Sequence, residues 1–529
     1  MSQLIRDWLT KTPERGFELP FAQLLISKGH RIIHIDSHSP NEQGKDIVSI
    51  SPEGEICGYQ LKKGTISKST WRNEVHGELV ELVEYPCHHP TVAGELCRPF
   101  LVVTGTLSEP AAANLTMFNI SLKKRGMANV ELLDKGWLEH NLGTGSILTL
   151  LSDPELFQKF LDAYYIDGSD YYDQKAYSAL SNLLSRRIGE ANTANQKIAA
   201  LLAALVVLQI AGTSYLNHNN HLATAFLCAE SAMLISQNCL RYQLPYNALQ
   251  NSRHLIYDHF EYALNELARE ALQSEHMLGV KHDLENSYFW RVRATLVCGA
   301  IAFLSLLHRH RHSTPHQHET EHINLIIKHQ FDLIIWSESA IPFYFAIYML
   351  LRARPQFTII GENILLRYFA SVSHRLRDES TRSRRFDVYF NVLDALLDPL
   401  NSETNSETRY SSQSYTLYPC ILLLRRALRR QTLSVFWYDL YKITFLEMKD
   451  IAPYDLYCER SESGTLTNHF LATPTSWQAL QDEADSISAD SVEYLQCSGN
   501  DPIALLLMLF RYPHRFNSLH AILLDDIYV

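Results

Sequence analysis

The chain has 529 residues, 46% of them hydrophobic and 20% charged, with a formal net charge of -11. That composition excludes a disordered chain, and the length exceeds what one ordinary core encloses, so several domains are expected. The negative balance excludes a general nucleic-acid coat protein but leaves room for a local basic channel. The nine cysteines lack regular spacing and the first residues lack an apolar signal-type run, so a cytoplasmic, reducing setting is expected. The longest apolar run, Ile198 to Gly212, is interrupted by Gln209 and is short for a bilayer. It reads as a buried helix, with no membrane role.

The first 142 residues alternate helical and strand signals. Phe17, Phe21, Leu24 and Leu25 share one helical face. Pro20 belongs in a first turn, which places that helix start near Phe17. "RIIHI" (31–35) is a short β-branched strand. "GKDIVSISPEGEICGYQLKKG" (44–64) reads as a hairpin turning at Pro52-Glu53-Gly54. A helix over 68–85 follows, capped by Ser67 or Ser69. Next come a buried strand from Arg98, a helix from Glu109 to about Arg125, a strand "NVELL" (129–133) and a helix "KGWLEHNL" (135–142). The pattern predicts an α/β domain over 1–142, one central mixed sheet flanked by helices. Beyond Gly143 strand signals fade. Residues 143–400 read as an all-α sensing or assembly region, 401–416 ("NSETNSETRYSSQSYT") as a flexible loop or linker, and 417–529 as a C-terminal all-α region. No repeat of fixed period is visible.

The hairpin carries the chemistry. Side chains alternate along a strand, so Gln60 and Lys62 point to one face and Leu61 to the other. Asp46 opens the neighbouring strand and can meet that face. Mg²⁺ or Mn²⁺ prefers oxygen donors and keeps several waters. Asp46, the Gln60 amide oxygen and the Leu61 backbone carbonyl are the candidate ligands. Glu18, on the preceding helix, is a candidate further carboxylate. Lys62 is then placed to stabilise charge on a scissile phosphate and to orient or deprotonate a water.

Phe17-Glu18, Gly29-His30-Arg31, Gly44-Lys45-Asp46 and Tyr59-Gln60-Leu61-Lys62 together resemble the PD-(D/E)XK nuclease superfamily, in the Mrr-like variant where Gln replaces the second acid. "LVVTGTLSEPAAANLTMF", then "KKRGMANVELLDKGWLEHNL" with its Leu133-Asp134-Lys135-Gly136 exit, is similar to the end of Mrr-type restriction endonuclease domains. The resemblance covers about residues 1–142. It implies a restriction-endonuclease-like fold, also used by Cap4-like antiphage effectors, with Glu18, Asp46, Gln60 and Lys62 catalytic. The neutral Gln60 leaves the site less anionic, so a second metal is weakly held or absent.

Other constellations are weaker. Cys87, His88, His89 and Cys97 lack the spacing of a standard zinc finger and read as a plain loop. "HRHRHSTPHQHETEH" holds His308, His310, His312, His316, His318 and His322. It can bind a transition metal adventitiously, and it reads as a solvated loop between helices. Arg311 and His316 match an R-x₄-H ribonuclease pattern, but Pro315 between them argues against the required helix. "HRLRDESTRSRR" and "RRALRR" are candidate phosphate contacts, or solvated helix faces.

The expectation is therefore a metal-dependent DNA endonuclease, acting on double-stranded DNA as the effector of an antiphage or anti-plasmid defence system. No P-loop is present. Control is expected from the helical region, from homo-oligomerisation or from a hetero-complex with a subunit such as an SMC-like ATPase. The rival readings are a catalytically weak DNA-binding scaffold and a ribonuclease.

Overall fold

The computed structural model describes residues 2–35, 44–143 (except 88, 90 and 93), 153–274, 278, 287–333 and 340–377. Further on it describes 413–414, 416–427, 430–440, 443–449, 454, 457, 465–469, 476–486, 501–512 and 518–528. The chain forms two compact units: residues 1–220 with 244–256, and 221–243 with 257–529. The division expected after residue 142 falls inside the first unit.

The first unit opens with α1 (Ser2–Lys11) and α2 (Glu14–Ser27). Helix α2 starts a turn before the expected Phe17 and holds Pro20 in its interior. Pro20 has no N–H for the Gly16 carbonyl, which normally breaks a helix. Here every residue from Gly16 to Ile26 is buried, so tertiary packing holds the turn together. The sheet then runs in chain order: β1 (Arg31–Ile35), β2 (Ile47–Ile50), β3 (Ile56–Lys62), β4 (Arg98–Val103) and β5 (Glu131–Leu133). The first two pairings are antiparallel and the last two parallel. The β2–β3 hairpin closes as expected, with the Gly54 N–H donating to the Ser51 carbonyl at 2.9 Å. The parallel pairs are joined by α3 (residues 68–84, with a π-helical turn at Trp71–Val75) and α4 (Glu109–Lys124). Ser67 caps α3 through the Thr70 N–H. Helix α5 (Lys135–Gly143) follows β5. An N-terminal α/β domain is thus present, as the sequence predicts.

Alternation along β3 gives its two faces different neighbours. Tyr59 packs against Phe21 of α2 and stacks on Phe100. Gly58 faces the other way; a Cβ there would lie 2.9 Å from Leu82 of α3. Trp71, Val75, Leu79 and Leu82 of α3 share a core with Leu101, Val103 and residues of α4. The same unit contains α6 (Pro154–Tyr164), α7 (Gln174–Gly189), α8 (Ala194–Ala211) and α9 (Thr213–Asn217). Helix α8 begins on a Thr193–Gln196 capping box and packs on α2. Trp8 of α1 donates to the Thr213 hydroxyl at 3.3 Å, and Gln23 to Ser252 at 3.0 Å.

The second unit is mainly helical, built around α10 (His221–Arg241), the later part of α11 (Gln250–Gln273), α12 (Ser287–His312), α13 (Glu319–His329) and α14 (Ile341–Arg352). Phe510 meets the rings of Phe226, Phe260, Phe303 and Phe343 at its centre. The all-α expectation for the C-terminal region fails at a three-stranded sheet: β6 (Gln413–Ser414), β7 (Thr444–Lys449) and β8 (Thr465–His469). β6 lies where a linker was expected; residues 401–412 fall outside the described residues. β6 and β8 are short and mostly polar, and β7 is six residues long, so they carry little periodic signal.

Among the described residues two helical segments, Ala194–Ala211 and Trp290–His312, are long and apolar enough to cross a membrane, and 56% and 83% of their most apolar 18-residue stretch is buried inside the protein. That burial is what the reading of 198–212 as a core helix requires. Cys87 and Cys97 pair as a disulfide across the loop before β4.

Candidate active site

The hairpin brings Asp46 and Gln60 together. Continuing the β2–β3 register by one residue sets Asp46 opposite Gln60, and the Asp46 N–H donates to the Tyr59 carbonyl at 2.9 Å. Directly opposed residues of an antiparallel pair share a face. Gln60 Nε2 donates to Asp46 Oδ2 at 2.8 Å, and the Leu61 N–H donates to the same oxygen. The approach to Asp46 depends on Gly44, whose φ is +71°; a Cβ there would lie 2.3 Å from the Glu78 carbonyl. Only glycine lets the chain pass this close to α3 in a left-handed conformation.

Lys62 is two residues beyond Gln60 on the same face. Its Nζ lies 2.9 Å from Glu78 Oε2 of α3 and 3.4 Å from Glu14 Oε2 of α2. The Lys63 N–H donates to the other Glu14 oxygen at 3.2 Å. Burial pulls the Lys62 ammonium down, but Glu14, Glu78 and Asp46 together raise it above the ordinary lysine value. Lys62 is therefore a held positive charge at neutral pH, which favours charge stabilisation over deprotonation of a water. Burial raises the Glu78 carboxyl, opposed by Lys62.

The other expected residues sort differently. Glu18 is buried in α2, one turn beyond Glu14 on the same side of that helix. His30 lies on the opposite face of the sheet, bonded through Nδ1 to Ser49 at 3.0 Å and within 3.5 Å of the Tyr59 hydroxyl. The Leu61 peptide faces away from β4, toward the Asp46 side: its N–H donates to Asp46 Oδ2, while the next residue, Lys62, takes part in the β3–β4 ladder through its carbonyl, which accepts from the Thr104 N–H at 3.0 Å.

Do these residues suit a divalent cation? Gln60 is 3% exposed, and its Oε1 is buried with no hydrogen-bond partner among the described residues. An orphaned amide oxygen costs about 1–3 kcal/mol. Gln60 bonds the Asp46 carboxylate, and two residues along the same face Lys62 is held between the carboxylates of Glu14 and Glu78. The donor set is all oxygen, the type Mg²⁺ and Mn²⁺ select, and it carries an excess of negative charge for a cation to offset. The residues therefore fit such an ion.

Comparison with protein-family models, with curated proteins and with solved structures finds no match for this chain. The site rests on its own geometry.

Glu14 and Glu78 escaped the sequence reading. They lie 48 and 16 residues from Lys62, and nothing local distinguishes them from solvated helix acids. The remaining sequence candidates resolve as structural features. Cys87 and Cys97 pair with each other, which removes two zinc thiolates. Arg425 is buried over the Trp477 ring, and Arg426 pairs with Asp525 and Asp526, so half of the "RRALRR" arginines are engaged within the protein. Most of "HRLRDESTRSRR" falls outside the described residues. His308, His310 and His312 are helical, ending α12, where a solvated loop was expected; the turn begins at Ser313.

Proposed function

We propose that the N-terminal domain is a metal-dependent nuclease that hydrolyses phosphodiester bonds of duplex DNA. The observation that carries this reading is the buried, unpartnered Gln60 Oε1 beside Asp46, with the Lys62 ammonium two residues along the same strand face. Asp46 and Gln60 are the residues that would hold the cation, with the Leu61 carbonyl and Glu18 as further candidates. A divalent cation supplies Lewis-acid polarisation of a phosphoryl oxygen and a more acidic water. The chain's own part is positional and electrostatic. Asp46 and Gln60 fix each other across the hairpin. Lys62, preset by Glu14 and Glu78, offers a positive charge to the phosphoryl oxygens as negative charge develops on them. The excess of carboxylates repels a polyanion until a cation is bound, which makes activity dependent on metal.

The helical second unit is proposed to restrain the nuclease until a trigger, a second copy or an ATPase partner engages it, as an effector in cellular defence requires. The deciding experiment incubates the full-length protein with plasmid, linear duplex, single-stranded DNA and RNA, each with Mg²⁺ and with EDTA. Duplex cleavage that EDTA abolishes supports the reading. Cleavage of RNA alone overturns the choice of substrate. Duplex binding without cleavage, unchanged by Mg²⁺ at any protein concentration, favours a scaffold instead.

A further inference from the structure

The histidines of the second unit carry an inference independent of the phosphodiester site. His308 and His312 are one turn apart on α12, so they project from one helix face, their ring centroids 4.4 Å apart. Both meet Glu261 of α11, a carboxylate only 9% exposed. His308 Nδ1 lies 2.7 Å and His312 Nε2 3.5 Å from the same oxygen, Oε1. The other oxygen accepts from Arg311 Nη1 at 2.7 Å, and Arg311 also pairs with Asp258.

Hydrogen-bond satisfaction alone does not require two imidazoles on one oxygen. Arg311, shared with Asp258, occupies one oxygen of Glu261, and one imidazole N–H would satisfy the other; two ring nitrogens from one helix face converge on it. Arg311 also turns the carboxylate so that Oε1 faces the two ring nitrogens, as an outer-shell partner orients a metal ligand. The three candidate ligand atoms lie within 4.8 Å of one another. In a tetrahedral zinc site with bonds of about 2.0–2.1 Å, neighbouring donors are about 3.3 Å apart. The His312–Glu261 spacing is close to that. The His308–Glu261 contact has to open by about 0.6 Å on that geometry as a metal replaces the shared proton.

Access is graded. Glu261 is deepest, His308 is 22% exposed and His312 is 48% exposed, so the open side of the cluster faces solvent. The ring of His316 is 4.9 Å from that of His308. Its Nε2 bonds Asn265 Oδ1 at 2.7 Å, and its Nδ1 accepts from the His318 N–H at 3.1 Å. His316 is a wall of the site and not a ligand. We propose that Glu261, His308 and His312 form a site for Zn²⁺ or a similar first-row transition metal, with a fourth position open to water, that clamps α12 to α11. Two imidazoles and a carboxylate suit this class of ion, and an all-oxygen set suits Mg²⁺.

The test titrates Zn²⁺ against a chromophoric chelator into EDTA-stripped full-length protein. The wild type is compared with His312→Gln, Glu261→Gln and, as a control for the N-terminal carboxylates, Asp46→Asn. Outer-shell substitutions typically cost 10–100-fold, so loss of the ligand His312 should weaken the tightest site by more than about 100-fold. Asp46→Asn should leave it unchanged. Co²⁺ should give the visible absorption of a four- or five-coordinate ion in the wild type and in Asp46→Asn only. His312 is half-exposed and its replacement is tolerable to the fold, which circular dichroism checks; should Glu261→Gln unfold, His312→Gln decides alone. Unchanged Zn²⁺ affinity and an unchanged Co²⁺ spectrum in His312→Gln would overturn the proposal.

Discussion

Lys62 Nζ lies 2.9 Å from Glu78 Oε2, so the last residue of β3 is tied to the middle of α3. With Glu14 on its other side, the ammonium is preset at one end of the Asp46–Gln60 face. Its proposed work is on developing charge, so Lys62→Ala should slow cleavage by at least about 10²-fold with a smaller effect on metal affinity. Glu78→Gln, which leaves Glu14 in place, should cost less. Single-turnover rates across a Mg²⁺ titration separate the two effects. A change in metal affinity alone would contradict the role given to Lys62.

Asp46 has two duties that one pair of substitutions can separate. Its Oδ2 accepts from Gln60 and from the Leu61 N–H. Asp46→Ala leaves that N–H without its acceptor and should cost about 1–3 kcal/mol of stability. Asp46→Asn keeps an acceptor oxygen but removes the charge. It should melt close to wild type and still lose cleavage. Equal activity in Asp46→Asn and wild type would show that the carboxylate charge is not needed.

Gly44 should tolerate no side chain. Its φ of +71°, and the 2.3 Å that would separate an added Cβ from the Glu78 carbonyl, predict that Gly44→Ala costs about 1–3 kcal/mol. Because Asp46 is two residues on, cleavage should fall as well. Urea midpoints and cleavage rates measured on the same preparation check both.

In the second unit, Arg511 and Glu230 form an ion pair with side-chain exposures of 0% and 1%. Removing one partner strands a buried charge. Arg511→Met alone should therefore cost about 3–5 kcal/mol, while Arg511→Met with Glu230→Leu should recover much of the loss. Denaturant unfolding of the two single variants and the double variant measures the coupling.

His322 predicts an acid-sensitive second unit. Burial, with His316 and His318 nearby, pushes its imidazole down to about 3, against about 6.5 in an unfolded chain. Between those values the unfolded chain binds the extra proton, so stability is full above about pH 6.5 and falls as pH drops toward 3. From pH 7 to pH 5 the loss from this residue is about 2 kcal/mol. Urea midpoints at the two pH values should differ less in His322→Gln than in wild type; an equal difference would remove His322 as the cause.

Local pattern was enough for the sheet domain and for half of its site. Alternation in β3 places Gln60 and Lys62 on one face, and the Pro52-Glu53-Gly54 turn sets the register that brings Asp46 opposite Gln60. These relations span fewer than about twenty residues and follow from backbone geometry alone. The rest depends on contacts between distant segments. Pro20 reads as a helix start, yet burial of α2 carries it in mid-helix. The three-stranded sheet of the second unit joins strands of two to six residues, too short to show a period of their own. Glu14, Glu78 and Glu261 look like ordinary helix acids until packing sets the first two beside Lys62 and the third beside His308. A side chain's partner across the fold is decided by which helix faces bury together, and that free energy is shared over the whole core and not encoded in any one stretch of chain.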